Sequence, residues 1–349
     1  MRKTTEFIDD SYIVTYTVNQ DDHNSRLDNF LQIHFQSFSR EKIKKFIAKG
    51  YIKILNRNQV LKSSTKVKEK EIVEITTFKK DFPLESFNGQ EIQEEELPIL
   101  HKTNEYVIIN KPPFMATHPT GKHLFYVATV ILEKMFSQKF NSVHRLDRET
   151  SGVMIISSEM NFSSKMTRLF EKRAITKAYF LIGHNNLKRD LPITAFEELG
   201  EKPDFKPEFF THCFPKGSGE GKVSETKFVE IYKSKKYILA LAFPKTGRQH
   251  QIRAHAAHHG FPLLGDKLYN GDINIFRRFK DKLDSQDDID KMQIARHALH
   301  AIALKIPEPV DNLFIAPLPK DLSNWIDQNL DLEMDQLNLK IKNLIKEYL

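Results

Sequence analysis

The stretch His144-Arg145-Leu146-Asp147-Arg148-Glu149-Thr150-Ser151-Gly152 governs how the rest of the chain is read. It precedes the apolar run VMIISS (153–158) and ends in a turn glycine, so it reads as a loop that sets one carboxylate at the edge of a buried strand. Asp147 stands between two arginines, whose charge favours its ionised form, and Thr150 and Ser151 supply hydroxyl donors close by in sequence. An unperturbed aspartate titrates near ~3.9. Burial at the floor of a site raises that value and a neighbouring guanidinium lowers it, and a carboxylate serving as nucleophile or base must stay deprotonated. An isolated RLD tripeptide is only a turn held by an Arg–Asp pair; the full nine-residue string carries more.

Working outward, YVIIN (106–110), VMIISS (153–158), KAYFLIGH (177–184), KFVEIY (227–232) and YILALAF (237–243) read as strands. Residues 125–137 and 161–173 read as helices, the first with Val127, Val130, Ile131 and Met135 facing inward. QHQIRAHAAHH (249–259) reads as a short helix closed by Gly260, and 333–349 as a last amphipathic helix with Leu337, Ile341, Leu344 and Ile345 on one face. The Gly- and Pro-rich segment 200–222 reads as a long loop. Strands with occasional helices predict an α+β domain with a mixed, mainly antiparallel sheet. No internal repeat is visible.

Toward the N-terminus, Leu27, Phe30, Leu31 and His34 recur at helical spacing. Ser39 is a cap for a second helix, REKIKKFIAK, with Ile43, Phe46 and Ile47 on one face and Gly50 at its end. YIKIL and VEITTF follow as strands, so the expected picture is two short helices and then a small sheet. From Arg40 to Lys80 there are 13 Lys or Arg against 4 Glu, which exceeds the net charge of +7 of the whole chain. That compact basic α/β module has the electrostatic footprint of a nucleic-acid binder, although a solvated lysine-rich face looks the same by charge alone. Residues 81–96 then reverse the balance with six acidic side chains. The expected organisation is a basic domain with an N-terminal extension over 1–80, an acidic linker over 81–98, a main domain over 99–330 and a C-terminal helix over 331–349.

At 349 residues the chain suits two domains, and 40% hydrophobic with 28% charged residues is ordinary for a globular protein. The single cysteine, Cys213, excludes an intramolecular disulfide and a cysteine-rich zinc site. No secretory signal is visible, and the apolar runs fall short of the roughly 20 residues of a membrane span, so a cytoplasmic chain without a membrane partner is expected.

HRLDRETSG resembles the signature of the RluA-type pseudouridine synthase family, whose catalytic residue is the aspartate of this string. Further motifs resemble that family in order: Lys111-Pro112-Pro113 with His118-Pro119-Thr120-Gly121, then Lys177-Ala178-Tyr179. Thr246-Gly247-Arg248-Gln249-His250-Gln251-Ile252-Arg253-Ala254-His255 follows, with Gly265, Asp266 and Tyr269 beyond it. Arg296-His297-Ala298-Leu299-His300-Ala301 and Pro317-Leu318-Pro319 complete the set. The likeness spans about 100–326. Residues 26–75 are more weakly similar to the small RNA-binding domain of ribosomal protein S-four, through Arg26-Leu27-Asp28, Ser39-Arg40 and Gly50-Tyr51-Ile52. They depart from it at Glu69-Lys70, where a Gly-Asp pair is common.

The resemblance implies a pseudouridine synthase fold and a cofactor-free isomerisation of uridine in RNA, ribosomal RNA first and transfer RNA second. It implies no metal and a monomer without an obligatory protein partner. Asp147 is the implied catalytic carboxylate, attacking the sugar or abstracting a proton, and Tyr179 packs on the everted base. Arg253 pairs with Asp147, with Arg248 the competing candidate or a phosphate ligand, and Arg145 fills the gap left by the flipped uridine. His144 and Lys177 belong to the RNA-binding set, Ile252 to the pocket wall, and Arg40, Lys44, Lys45 and Lys49 to the phosphate-binding face of the basic module. In keeping with a cofactor-free reaction, neither a P-loop nor a G-x-G-x-x-G pattern occurs. Two other readings compete. One is a non-catalytic RNA-binding protein, against which intact Asp147, Tyr179 and Arg253 speak. The other is a metal hydrolase built on His250, His255, His258 and His259, against which the missing H-E-x-x-H glutamate speaks.

Overall fold

A computed structural model describes residues 3–8, 10–34, 39–81, 86–87, 90–91, 97–120, 123–187, 189–281 and 283–349. The chain divides into two compact units, Met1–Glu95 with His118–Ser137, and Glu96–Thr117 with Gln138–Leu349.

The first unit begins with two strands, β1 (Lys3–Ile8) and β2 (Ser11–Thr17), ahead of the helices α1 (Leu27–His34) and α2 (Arg40–Ala48). β3 (Ile52–Ile54) and β4 (Ile72–Phe78) complete an antiparallel sheet ordered β1-β2-β4-β3. The sheet therefore starts before the helices rather than after them. Its opening strands, KTTEFI and SYIVTYT, carry Thr and Ser on the exposed face, while Tyr12, Val14 and Tyr16 alternate into the core. Leu27, Phe30 and Leu31 from α1 and Ile43, Phe46 and Ile47 from α2 close over them. The Ser39 side chain accepts the Lys42 amide at 3.3 Å as an N-cap, and Gly50 leaves α2 at φ +72. Helix α3 (Ala128–Phe136) clusters with this unit. It buries Val127, Val130, Ile131 and Leu132, whereas Met135 is 37% exposed, so the inward stripe is turned toward Leu132. Most of the acidic segment 81–96, and Gly121 and Lys122, lie outside the described residues.

The second unit is built on a ten-stranded sheet. Its long path uses β5 (Ile99–Lys102), β6 (Tyr106–Lys111), β7 (Ser151–Ser157), β8 (Thr176–His184), β9 (Ile193–Ala195), β10 (Thr226–Lys233), β11 (Tyr237–Pro244) and β12 (Leu299–Ile306). Their spatial order is β9-β10-β11-β8-β12-β7-β6-β5, and β13 (Asn312–Ile315) and Asn141–Ser142 pair off it. Every pairing is antiparallel except β7 with β12, which is parallel through Ser151↔His300 and Gly152↔Ala301. The mixed, mainly antiparallel α+β architecture expected from the strand spacing is present.

The central strands are apolar on both faces because helices cover both. From β8, Ala178, Phe180 and Ile182 face the helices α8 (Lys320–Asn329) and α9 (Met334–Tyr348), meeting Trp325, Ile326, Leu337, Ile341 and Ile345. Tyr179 and Leu181 face the other way, toward Ile252 and Ala256 of α5 (Gln251–His258). Helix α4 (Met160–Glu171) covers β6 and β7 through Phe162 and Met166. The segment 200–222 is less loop-like than its composition suggests, since Glu198–Gly200 pairs with His212–Phe214. Two further helices that the sequence did not announce, α6 (Ile273–Asp281) and α7 (Gln286–Met292), follow α5. Among the described residues no helix is long and apolar enough to cross a membrane.

Candidate active site

A cleft of about 680 Å³ opens in the second unit, lined by the 144–147 loop, Tyr179 of β8, and the 244–253 segment that enters α5. Three devices place its groups. The turn after Asp147 is closed by the Thr150 amide donating to the Asp147 carbonyl at 3.0 Å. The pairing of β8 with β12 shifts register between Ala178 and Tyr179, where β12 carries Ile302 as an extra residue opposite the Tyr179 position. His250, just ahead of α5, takes a left-handed backbone (φ 51, ψ 16), a conformation a non-glycine residue holds only where its surroundings impose it.

Asp147 sits in the cleft with its side chain 28% exposed, and Arg253 Nη1 lies 3.3 Å from its Oδ2. The same guanidinium uses its Nε and Nη2 on Asp266, at 2.7 and 2.8 Å. Asp266 is fully buried and also accepts the amides of Leu268 (3.0 Å) and Tyr269 (3.1 Å). Arg253 is thus clamped bidentately from behind and offers its remaining face to Asp147. Burial pushes the Asp147 carboxyl up, but Arg253, then His250 and His297, outweigh it and hold the group below its ordinary range. The two arginines adjacent in sequence do not supply this charge. Arg148 lies 3.8 Å from Glu149 and over the Phe114 ring, and Arg145 is exposed at the cleft.

Tyr179 and Ile252 form apolar wall, and burial, with the Asp147 charge second, keeps the Tyr179 phenol protonated. Arg248 also lines the cleft, but its Nε donates to the Val223 carbonyl at 3.2 Å. Of the two candidates it is therefore Arg253 that meets Asp147. His144 stacks on Phe170, centroids 4.5 Å apart, and its Nε2 accepts the Ile155 amide at 3.1 Å. Burial and Lys177 press its pKa down to about 3, so it is a neutral brace at the cleft wall. Lys177 lines the same wall 5.9 Å from the Phe170 ring, its pKa lowered by burial. Arg40, Lys44 and Lys45 on α2 of the first unit and Lys49 at its C-terminal cap are exposed, with Lys49 3.1 Å from Asp81.

Several functional supports escaped the sequence reading. Lys111, completely buried, donates Nζ to the carbonyls of Pro112 (2.9 Å), Met115 (2.8 Å) and Arg148 (3.3 Å). Burial and Arg296 lower its pKa to about 7 against the raising effect of Asp147. Arg296, also fully buried, donates Nη1 to the carbonyl of Glu149 at 3.1 Å and pairs its Nε with Asp321 at 2.6 Å. Two buried basic side chains therefore grip successive carbonyls of the loop just after Asp147. His297 Nε2 stands 2.8 Å from the Thr150 hydroxyl and its Nδ1 3.4 Å from Glu149, while Ser151 Oγ is 2.9 Å from His300 Nδ1. The K-P-P and R-H-A-L-H-A motifs were the available signal; their work is to hold the loop. His250, with Nε2 4.0 Å from Asp147 and Nδ1 3.2 Å from the Tyr269 hydroxyl, is the other missed neighbour, and burial and Arg253 press its pKa to about 4.

The histidines of α5 disperse. His255 is buried against the hydroxyls of Thr226 (2.9 Å) and Ser224 (3.0 Å), and His258 and His259 approach Glu197 at 3.8 and 3.2 Å. Among the described residues no group of three or more His, Cys, Asp or Glu is arranged to hold a metal ion.

A mixed sheet flanked by helices thus carries an ionised aspartate, a protonated tyrosine and a clamped arginine around one cleft. The family model described as RNA pseudouridylate synthase matches residues 105–258. The chain is 27% identical over 335 residues to ribosomal large subunit pseudouridine synthase D of Vibrio cholerae, covering 92% of this chain and 95% of that one. It is 29% identical over 314 residues to the protein of the same name from Haemophilus ducreyi, covering 86% and 90%. In fold it is similar to the human RNA pseudouridylate synthase domain-containing proteins 1 and 4. Their TM-scores are 0.53 and 0.52 at 22% and 21% identity, covering 72% and 66% of this chain and 98% and 92% of theirs. These matches support an RluA-type pseudouridine synthase.

Proposed function

We propose that this enzyme isomerises uridine to pseudouridine within RNA, with Asp147 as its catalytic group and large-subunit ribosomal RNA as its first target. The observation that carries the reading is the Asp147 carboxylate held ionised by a clamped Arg253 inside a cleft large enough for a whole everted nucleotide. The reaction breaks the bond between uracil N1 and the sugar C1′, turns the ring, and joins C5 to C1′; the C5 proton leaves to solvent and the freed N1 takes up a proton, so product and substrate have the same composition. Whether the carboxylate attacks C1′ or takes a proton from the sugar, it must be charged when the glycosidic bond opens, and Arg253 serves that need. The protonated Tyr179 packs on the uracil against Ile252. Arg145, exposed and planar, enters the helix where the uridine left, and Lys177 and Arg248 take backbone phosphates.

The first unit, with Arg40, Lys44 and Lys45 along α2 and Lys49 at its C-terminal cap, adds a phosphate-binding face. Ribosomal RNA is favoured over transfer RNA because the relatives that cover most of their own length carry the ribosomal large subunit in their names. The enzyme acts as a monomer.

Tritium release from RNA labelled at uracil C5 tests the assignment. Asp147→Asn should lower the rate about a thousandfold or more while circular dichroism stays that of the wild type. Full turnover by a folded Asp147→Asn protein would remove Asp147 from the mechanism. Mapping pseudouridines in total RNA from cells lacking the gene identifies the target, and loss confined to transfer RNA would overturn the ribosomal choice.

A further inference from the structure

Phe209 belongs to none of the motifs and lies in the stretch between Glu198–Gly200 and its partner His212–Phe214. Its side chain is large and apolar, yet the residue is 41% exposed. The ring is nonetheless fixed. It meets Phe276 of α6 edge-on, centroids 5.4 Å apart at 77°, and His250 edge-on at 6.4 Å and 87°. The Gln249 side chain donates to the Phe209 carbonyl at 3.4 Å. Gln249 and His250 both line the cleft, and His250 is 4.0 Å from the Asp147 carboxylate. Phe209 therefore stands beside the cleft lining, against Gln249 and His250, with part of its surface in water.

The stretch that carries it is flanked by tethered structure. Beyond its partner strand, Glu198 accepts the amides of Gly217 (3.1 Å) and Gly219 (2.9 Å) and the Ser218 hydroxyl (3.2 Å). Nearer the ring, the Tyr269 hydroxyl accepts the Thr211 amide at 3.0 Å and donates to the Thr211 carbonyl at 3.2 Å. A segment held this way gives up little conformational freedom when something docks on it. The cleft it borders carries Arg145, Lys177, Lys245 and Arg248. A held, part-exposed ring next to a cleft with several cations is a combination that binds an unpaired nucleotide, base on ring and phosphate on cation.

We propose that Phe209 is a specificity-determining residue: a preorganised stacking platform for the base of a nucleotide neighbouring the everted uridine. The inference rests on reading the cleft as an RNA site. An unpaired flanking base reaches the platform and a base locked in a duplex does not, so Phe209 favours target uridines in loops and at helix ends.

The test separates stacking from packing. Phe209→Leu keeps an apolar side chain against Phe276 but has no ring, whereas Phe209→Tyr and Phe209→Trp keep the ring. Tritium release is measured on C5-labelled RNA from cells lacking the gene. KM should rise about tenfold or more for Phe209→Ala and Phe209→Leu with kcat unchanged, and stay within about twofold for Tyr and Trp. The sole native tryptophan, Trp325, is buried, so the added indole of Phe209→Trp is a separate reporter and its emission should be quenched when RNA binds. A wild-type KM for Phe209→Leu, or emission unaltered at saturating RNA, overturns the platform. Failure of the wild type to release tritium would instead overturn the RNA reading of the cleft.

Discussion

Arg253 serves two carboxylates at once, and the division of labour has measurable consequences. Asp266 takes the fork of the guanidinium and Asp147 the remaining edge. Lysine has the charge without the fork, so Arg253→Lys should lower kcat about ten- to a hundredfold and reduce thermal stability, because the buried Asp266 loses its bidentate partner. Asp266 does not line the cleft. Asp266→Asn should therefore lower kcat about tenfold through the loosened arginine while KM holds, as single-turnover and steady-state rates will show.

The pH dependence follows from the same groups. The Asp147 carboxyl lies below its ordinary value of 3.8, and His250 and His144 are pressed to about 4 and about 3. None of the three changes charge between pH 5 and 8. The profile of kcat/KM should be flat there on its acid side, and activity should fall only as pH drops through the folded value of Asp147. An acid limb near the ~6.5 of free histidine would show an imidazole titrating on the reaction path. Asp266, at about 2 instead of 3.8, binds fewer protons folded than unfolded between those values. Its stabilisation is complete above about pH 4 and is lost as pH falls from there toward 2.

Strand pairing around the Asp147 loop explains why the cleft sits where it does. The parallel contact of β7 with β12 brings Gly152 against Ala301, and a Cβ at Gly152, where φ is +117, would stand 2.2 Å from the Ala301 carbonyl oxygen. Gly152→Ala should therefore cost more than about 3 kcal/mol in denaturant unfolding, far above an ordinary surface change. The bulge opposite Tyr179 and the buried basic side chains Lys111 and Arg296 belong to the same junction. A loop whose carbonyls are already held needs no rearrangement when the nucleotide enters.

On the proposed reading the first unit binds phosphate and the second carries the chemistry. Helix α3 complicates dissection, because residues 118–137 cluster with the first unit and Leu124 and Phe125 are buried in its core. Removing the N-terminal residues would expose those side chains, so charge removal on the intact chain is the cleaner probe. Replacing Arg40, Lys44, Lys45 and Lys49 by alanine should weaken RNA binding and flatten the slope of log K against log salt, by about 0.7–0.9 for each phosphate no longer neutralised. An unchanged slope would show that these side chains face away from RNA. The tritium-release kcat at saturating RNA should be that of the wild type.

Local pattern made much of this protein legible from residues alone. Two-faced apolar runs such as YILALAF marked the central strands, Ser39 and Gly50 marked the ends of α2, and the 144–152 string marked the carboxylate. The opening strands were harder to read because Thr and Ser dominate their outer face. Helix α6 was hidden in the charged run RRFKDK, and the inward stripe of α3 needed Leu132 in place of Met135. Which charges meet belonged to the tertiary structure. The arginines beside Asp147 in sequence point elsewhere, and the one that holds it arrives from a helix more than a hundred residues away, itself aimed by Asp266. Hydrophobic period and capping are short-range properties of a chain. Ion pairing in a buried cleft depends on strand order and on a low dielectric that exist only after folding, and no local pattern encodes either.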